Sequence, residues 1–419
     1  MRKALRLLAA IAAVCILTVL TQAQIQTAKA TNYKEKVLHA FTGGSDGGQP
    51  TDLVRDAKGN LYGATAFGGN TSGECGSGYF QQGCGVVFKL SAAGKFSVLH
   101  AFDFNDGAVP NNLIYDASGN LYGTAAAGGN SACQDGGCGV IFKVTTEGDF
   151  TLLHRFTGGA DGSVPNGLIL GAKGNLYGTT SANTSSYEEY GEVFELTTSG
   201  QLHVLHSFNG TTHGNSADGV VQDNDGNLYG TTFGGGDTSC ILYKGSGCGV
   251  VYKLDTSGKE TVLYSFKGKS DGAFPAALLV MDKAGNLYGT ASLGGDEKAV
   301  CHLPDSPVGC GTVFKIDNAG AFSALIKFDS SDGLYPGALT EDVDGIIFGT
   351  TSFGGSGCCG VVYKLNSGNK ETVVYNFKGQ SQGGWPEQVI DDTKGNLYGT
   401  TEVGGDLSCH CGVIFELTP

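Results

Sequence analysis

A short phrase recurs seven times along this chain and constrains its fold more than any other feature. In the first copy it reads Gly59-Asn60-Leu61-Tyr62-Gly63, and the start-to-start distances of the seven copies are 60, 55, 52, 59, 60 and 50 residues. Self-similarity at this period indicates repeated supersecondary units, although a length of 419 residues would otherwise suggest about three domains. The copies begin at Gly59, Gly119, Gly174, Gly226, Gly285, Gly345 and Gly395, and the sixth is divergent.

Each copy contains four short runs with the composition of β-strands. Run A follows a proline, as at Pro110, and a turn rich in Asp, Gly and Asn connects it to run B, which holds the recurring Leu-Tyr-Gly phrase. Run C resembles Gly85–Leu90, and run D ends in a phenylalanine that lies 14 residues after the run C aromatic residue. β-Branched and aromatic residues dominate these runs, and no stretch after the N-terminal segment has a helical period. Nearly all length variation lies between runs B and C.

Four antiparallel strands per copy and seven copies predict an all-β fold, a seven-bladed β-propeller of four-stranded antiparallel blades. The repeat region begins with a run D at Lys36–Phe41 and ends with a run C at Gly412–Leu417. We therefore expect the N-terminal strand to complete the last blade and close the ring, which removes an exposed sheet edge. The predicted propeller occupies residues 34–419.

The N-terminal segment has the pattern of an export signal. Arg2, Lys3 and Arg6 precede an apolar stretch over 7–20 that is too short to span a bilayer. We expect a signal peptide over 1–23, with 30 as the alternative end, and a short linker over 24–33; an uncleaved membrane anchor is the alternative. The sequence thus predicts a secreted or periplasmic protein without a membrane span in its mature form, and a monomer.

The charge balance excludes one class of partner. The formal net charge is −14, and loss of the three basic residues of the signal takes it to −17. Such acidity, without a cluster of Lys or Arg, argues against a nucleic-acid partner.

Twelve cysteines remain after the signal, two in each of six copies and none in the third. Every pair lies in the connection between runs B and C, which in an exported protein indicates local disulfides. The close spacing in the last two pairs leaves open that they are free, and Cys409-His410-Cys411 leaves a metal site as a further alternative. The predicted pairs are Cys75–Cys84, Cys133–Cys138, Cys240–Cys248, Cys301–Cys310, Cys358–Cys359 and Cys409–Cys411.

The combined repeat motif resembles the GloVer tandem-repeat family of exported bacterial proteins. The features that carry the resemblance are the period, the phrase Pro-x-x-Leu…Asp-x-x-Gly-Asn-Leu-Tyr-Gly-Thr-Thr…Gly-Gly, and runs such as Gly85–Leu90. The resemblance covers essentially all of 36–419. It implies a bacterial extracytoplasmic repeat protein and does not by itself imply a reaction.

The connections between runs D and A supply the first candidate binding residues. Five copies carry an Asp-Gly pair there, and His213 and Gln382 replace the aspartate in the other two. If these loops surround one end of a central channel, their carboxylates could bind a cation such as Ca²⁺; a repeated turn is the alternative, and no cofactor is expected otherwise. The aspartates are Asp46, Asp106, Asp161, Asp271 and Asp332.

Residues that break the repeat are the second group of candidates. Trp385 precedes the proline of the last run A, where an exposed indole could stack on a sugar ring. Glu188 and Glu189 are a possible acid and base, with a solvated loop as the alternative. The remaining repeat-breaking residues are His213, Arg155 and Glu387.

These observations favour a secreted, non-catalytic binding or scaffold propeller with an extracellular ligand, for which a polysaccharide is one class. No acid and base cluster stands outside the repeat, and this absence motivates the hypothesis. An extracellular carbohydrate-active hydrolase or lyase and a structural adhesion component are the alternatives. The ligand is expected on the face that carries the B–C and D–A connections, because variable loops on a rigid scaffold commonly bind ligands.

Overall fold

The computed structural model describes residues 33–77, 80–130, 133, 136–182, 190–210, 212–240, 247–296, 301, 309–366, 368, 370–406 and 408–419. The predicted signal peptide and nearly all of the linker lie outside these residues. The described chain forms seven antiparallel sheets, which we number as blades 1–7 in chain order. Two short 3-10 turns, Gly73–Gly76 and Gln380–Gln382, lie in connections. No helix in the described ranges is long and apolar enough to cross a membrane.

In blades 1–4 the strands follow one another in chain order from the innermost to the outermost. Blade 1 contains β2 (Gly48–Arg55), β3 (Leu61–Phe67), β4 (Val86–Leu90) and β5 (Phe96–Ala101). Blade 2 contains β6 (Ala108–Tyr115), β7 (Asn120–Ala127), β8 (Val140–Thr145) and β9 (Phe150–Arg155). Blade 3 contains β10 (Ser163–Leu170), β11 (Leu176–Ala182), β12 (Glu192–Leu196) and β13 (Leu202–Ser207). Blade 4 contains β14 (Asn215–Gln222), β15 (Leu228–Gly234), β16 (Val250–Leu254) and β17 (Glu260–Ser265).

The last three blades follow the same order. In blade 5 the innermost strand is interrupted, so that β18 (Ala273–Pro275) and β19 (Val280–Met281) both pair with β20 (Leu287–Leu293), followed by β21 (Thr312–Ile316) and β22 (Phe322–Lys327). Blade 6 contains β23 (Leu334–Glu341), β24 (Ile347–Phe353), β25 (Val361–Leu365) and β26 (Glu371–Asn376). Blade 7 contains β27 (Gly384–Asp391), β28 (Leu397–Val403), β29 (Val413–Thr418) and, outermost, β1 (Lys34–Ala40).

The ring closes between the two ends of the chain. Strand β1 pairs antiparallel with β29, from Lys34 opposite Thr418 to Ala40 opposite Val413. This pairing confirms the predicted seven-bladed propeller and its closure by the N-terminal strand. The strands that follow the D–A connections contact one another from blade to blade, so these strands line the central channel.

The recurring Asp-x-x-Gly-Asn-Leu-Tyr phrase is explained by a hydrogen-bonded hairpin at the A–B turn. In blade 1 the Asp56 carboxylate accepts bonds from the Lys58 and Asn60 amides, at 2.9 and 2.8 Å, and from the Asn60 side chain at 2.7 Å. The Tyr62 hydroxyl donates to the same carboxylate at 3.2 Å. Burial alone would raise the pKa of Asp56, but these hydrogen bonds hold it below its ordinary value. Where the phrase is complete, the turn is therefore fixed by its own sequence.

The core lies mainly in the seams between blades. The phenylalanine at the end of each run D packs against the run C aromatic ring of the next blade, as Phe41 does on Phe88 with ring centroids 5.3 Å apart. The glycine of Leu-Tyr-Gly makes room for that second ring, since a Cβ at Gly63 would lie 2.3 Å from Phe88 Cζ. The same pairing closes the other six seams: Phe102–Phe142, Phe156–Phe194, Phe208–Tyr252, Phe266–Phe314, Phe328–Tyr363 and Phe377–Phe415.

Candidate functional site

The innermost strands begin at the face that carries the B–C and D–A connections, which we call the loop face. At the second residue of each strand the backbone is left-handed, with φ between 51° and 58°. Such values are unusual for any residue except glycine, and Val109 and Val164 adopt them in spite of their β-branched side chains. The seven positions are Gln49, Val109, Val164, Ser216, Phe274, Tyr335 and Trp385.

A backbone hydrogen bond to the preceding blade holds this conformation. Each of the seven backbone amides donates to a carbonyl of that blade at 2.8–3.1 Å. Strained backbone of this kind concentrates at functional sites. In six seams the acceptor is the second cysteine of a local pair, and in the third blade it is Tyr190; the cysteines are Cys84, Cys138, Cys248, Cys310, Cys359 and Cys411.

Three of these seven positions carry aromatic side chains, all of them in blades 5–7. The Trp385 ring lies 4.9 Å from the Phe353 ring, and the Tyr335 ring lies 5.9 Å from the same phenylalanine. The side chains of Tyr335, Phe353 and Trp385 are all half-buried. We call Tyr335, Phe353 and Trp385 the aromatic patch, and it lies at the loop-face mouth of the channel. A second pair, Phe233 and Phe274, stacks at 4.8 Å, and Phe233 is 46% exposed.

Beside the patch, carboxylic acids line the channel. Glu387 follows Trp385 by two residues on β27, and burial beside Glu402 and Asp52 raises its pKa to about 8. Burial raises the pKa of Asp52 to about 7, although the Leu113 amide donates to it at 3.0 Å. The pKa of Glu402 is raised by burial as well. Near neutral pH, this part of the channel therefore contains carboxyl groups that bind protons more tightly than usual.

On the other side of the channel the backbones of blades 3–5 approach one another closely. The interruption between β18 and β19 places Leu278 of blade 5 against Gly219 of blade 4, which in turn lies against Gly167 of blade 3. A Cβ at Gly219 would lie 2.0 Å from Leu278 Cδ2, and a Cβ at Gly167 would lie 2.2 Å from Gly219 Cα. Near them the Asn166 amide donates to Asp218 at 2.5 Å, while burial raises the pKa of Asp218 to about 6.

The other mouth of the channel, at the A–B turns, contains a cavity of about 430 Å³. Val54, Arg55, Leu113, Ile114, Tyr115, Ile390 and Asp391 line it. It is formed by the ends of the innermost strands of blades 7, 1 and 2.

The five predicted aspartates each bind close in sequence, within their own connection or on the strand that precedes it. Asp46 contacts Nε2 of His39 at 3.2 Å and accepts from the Thr42 amide, and Asp106 contacts His100 at 2.8 Å. Asp161, Asp271 and Asp332 likewise bind His154, the Tyr264 hydroxyl and the Asp329 amide, respectively. Among the described residues no group of three or more His, Cys, Asp or Glu side chains is placed to hold a metal ion.

His213, which replaces the aspartate before blade 4, takes part in a different arrangement. Its Nδ1 lies 2.8 Å from Oε2 of Glu260, and Nε2 of His206 lies 3.2 Å from the same oxygen. The Glu260 side chain is 4% exposed and that of His213 is 50% exposed. Glu260 occupies the position at which Phe96 of blade 1 stacks on His39, so polar contacts replace a ring contact in this seam.

The other predicted residues fall in separate places. Arg155 donates to the Asn105 carbonyl at 3.3 Å, which is a contact between neighbouring blades. Glu188 and Glu189 lie outside the described residues. The six predicted cysteine pairs have Cα atoms 3.8–5.8 Å apart, with their sulfur atoms at disulfide distance.

Among the candidate residues that the structure describes, Trp385 and Glu387 lie on the same innermost strand, β27. Their neighbours Tyr335, Phe353, Asp52 and Glu402 were not predicted as site residues. One signal in the sequence could have found part of this set, because Phe274, Tyr335 and Trp385 all directly precede the proline of a run A.

Comparison with known proteins gives one family and a set of distant structures. The model of the Gloeobacter/Verrucomicrobia repeat matches residues 24–180, 74–301 and 304–419. No curated protein sequence matches the chain.

Among solved structures, virginiamycin B lyase from Staphylococcus aureus is similar with a TM-score of 0.61 and 13% identity, over 93% of this chain and 100% of the lyase. An extracellular domain ascribed to a hybrid two-component system from B. thetaiotaomicron is similar with a TM-score of 0.54 and 10% identity, over 91% of this chain and 39% of that one. At these identities the similarity shows the propeller fold alone.

Proposed function

The chain belongs to the Gloeobacter/Verrucomicrobia repeat family, and we propose that it is an extracytoplasmic, non-catalytic binding propeller that holds a glycan at the loop-face mouth of its channel. The observation that carries this proposal is the aromatic patch, three half-buried rings in contact at the start of the innermost strands. Concave sites that combine such apolar surface with a few polar groups are typical of ligand binding.

The chemistry of the patch favours a sugar. An aromatic face covers the C–H face of a pyranose ring, and the polar edge of the sugar needs hydrogen-bonding groups close by. Glu387 supplies such a group on the same strand as Trp385, and Glu402 lies beside it. This combination supports a glycan over a purely apolar ligand.

The proposed location outside the cytoplasm rests on two features. The N-terminal segment has the pattern of an export signal. Twelve cysteines in local pairs at disulfide distance are typical of an oxidising compartment, in which such bonds form and persist.

A polysaccharide array with the mature protein, followed by calorimetry on the glycans that bind, tests the proposal. We expect Trp385→Ala to weaken binding by about tenfold or more, as expected of a central aromatic anchor. Lys58→Glu and Lys95→Glu, on exposed turns of the opposite face, and Asp391→Asn, in the other channel mouth, should leave affinity unchanged. Loss of affinity confined to these three variants would place the ligand elsewhere.

A carbohydrate-active hydrolase or lyase is the second candidate, and the raised pKa values of Glu387 and Asp52 favour it. A carboxyl group that keeps its proton near neutral pH is suited to general acid catalysis, and glycosidases use two carboxyl groups. A reducing-sugar assay and an assay for unsaturated products on every bound glycan separate the two functions. Turnover that is abolished by Glu387→Gln would establish the enzyme and reject the binding-only proposal.

A further inference from the structure

We infer that the glycan bound at the aromatic patch carries free amino groups, as a glucosamine polymer does, and that the sugar stacks on Trp385 while an ammonium group contacts the carboxyl groups at the wall of blades 7 and 1. This inference rests on the proposed function, because it names the ligand class of the same site. It is carried by the charge complementarity between the patch surroundings and such a ligand.

The strand that carries Trp385 also carries Glu387, the first of a group of carboxylic acids in this part of the channel. Glu387 is influenced electrostatically by Glu402 and Asp52. None of the ion pairs among the described residues involves Glu387, Glu402 or Asp52. A uronate or sulfated glycan would place a negative charge beside carboxyl groups that burial already hinders from ionising, whereas an ammonium group would stabilise their ionised form.

The spacing of the groups fits one sugar unit. Trp385 and Glu387 are two residues apart on β27, which corresponds to about 7 Å along a strand. Glu402 lies on β28, the next strand of the same blade, and Asp52 lies on β2 of the adjoining blade. A sugar stacked on the indole therefore has carboxyl groups at its side rather than at a remote site.

The inferred contact predicts that protons are released when the glycan binds. The pKa of Glu387 is raised to about 8 and that of Asp52 to about 7 because both are buried without a counter-charge. An ammonium group placed beside them favours the ionised carboxylates, so binding should release protons at mildly acidic pH. A neutral glycan on the same patch gives no such release.

The experiment measures binding of four hexasaccharides to the mature protein by calorimetry in two buffers of different ionisation enthalpy. The probes are hexamers of glucosamine, N-acetylglucosamine, glucose (β-1,4) and galacturonate. We expect the glucosamine hexamer to bind at least about tenfold more tightly than the glucose hexamer, with release of protons, and the galacturonate hexamer to bind most weakly. The advantage of glucosamine should fall as salt is added.

Variants separate this contact from general attraction to an acidic protein. The double substitution Glu387→Gln and Glu402→Gln should remove the preference for glucosamine over glucose and the proton release, because glutamine keeps a hydrogen-bonding group but cannot ionise. Glu147→Gln, exposed in a C–D turn, changes one charge on the opposite face and should leave the preference intact. Circular dichroism and melting curves check that each variant is folded.

The possible failures are distinguishable. If neutral hexamers bind in a Trp385-dependent manner and glucosamine binds no better, the inference is wrong and the proposed function stands. If the preference survives in the Gln double variant or is lost in Glu147→Gln, the ammonium contact is elsewhere and the inference is wrong as well. If none of the probes and no polysaccharide on the array binds, both proposals fall.

Discussion

At the scale of single residues, Glu387 shows how the channel changes ordinary side-chain chemistry. Its pKa is raised to about 8, so the folded protein holds a proton that the unfolded chain releases near the ordinary value of 4.5. A group with a raised folded pKa stabilises the fold fully below its unfolded pKa, and this contribution is lost as the pH rises through the folded pKa. The window for Glu387 is therefore about pH 4.5 to 8.

The prediction is that Glu387→Gln gains stability relative to the wild type as pH increases. We expect the difference in unfolding free energy to change by on the order of 1–3 kcal/mol between acidic and alkaline pH, since water in the channel screens part of the effect. Chemical denaturation of both proteins across this range measures it. A difference that does not vary with pH would mean that Glu387 ionises normally.

Gly219 and Leu278 offer a second test at this scale. A Cβ at Gly219 would lie 2.0 Å from Leu278 Cδ2, and its φ of 35° is left-handed. Gly219→Ala should therefore destabilise the fold by about 2–4 kcal/mol. Adding Leu278→Ala relieves the steric part, so the double variant should lose less stability than the sum of the two single variants, as measured by denaturation of all three. Additive losses of stability would show that there is no steric clash between a side chain at position 219 and Leu278.

At the scale of strands and connections, the cysteine pairs act on the seams between blades. The carbonyl of Cys84 accepts the Val109 amide, and the carbonyl of Cys310 accepts that of Tyr335. In the third blade, which has no cysteine pair, the backbone carbonyl of Tyr190 accepts the Ser216 amide. A disulfide that closes a loop of this size contributes about 2–3 kcal/mol in the chain-entropy description.

The prediction is that peptide mapping without reductant finds the four longer pairs within their own blades, from Cys75–Cys84 to Cys301–Cys310. After reduction, amide hydrogen exchange should accelerate at Val109 and Tyr335 but remain unchanged at Ser216, which is the matched internal control. Cross-blade pairs, or equal acceleration at Ser216, would contradict this account of the seams.

Strands and turns could be predicted from the sequence, whereas contacts between blades could not. The hairpins were predictable because the determinants of each turn are local, as Asp56, Asn60 and Tyr62 show. The aromatic patch was not, because Phe353 and Trp385 meet across a seam and their contact depends on how two blades pack. Similar Asp-Gly loops around one axis suggest a shared cation site. In the structure Asp46 instead bonds to Thr42 of its own connection and to His39 of the preceding strand.

At the scale of the whole molecule, seven similar seams between blades hold the ring together, and the pairing of β1 with β29 joins the two ends of the chain within blade 7. Six blades consist of consecutive strands, whereas blade 7 takes its outermost strand from the other end of the chain. Strand β1 also contributes Glu35, whose carboxylate accepts the Tyr375 hydroxyl of blade 6 at 2.7 Å, and it leads into Phe41, which packs on Phe88 of blade 1. The closing strand therefore connects blades 6, 7 and 1 at once.

Deletion of residues 31–42 should consequently open the ring. The deletion exposes the unpaired edge of β29 and removes Phe41, which is fully buried, so the cost should be at least the roughly 3–5 kcal/mol typical of removing a buried phenylalanine side chain. We expect a sharply lower melting temperature and association of the exposed edges, measured by calorimetry and light scattering. Deletion of residues 24–30, which precede β1, is the matched control and should melt like the mature protein. If the longer deletion melts unchanged and stays monomeric, the pairing of β1 with β29 does not hold the ring closed.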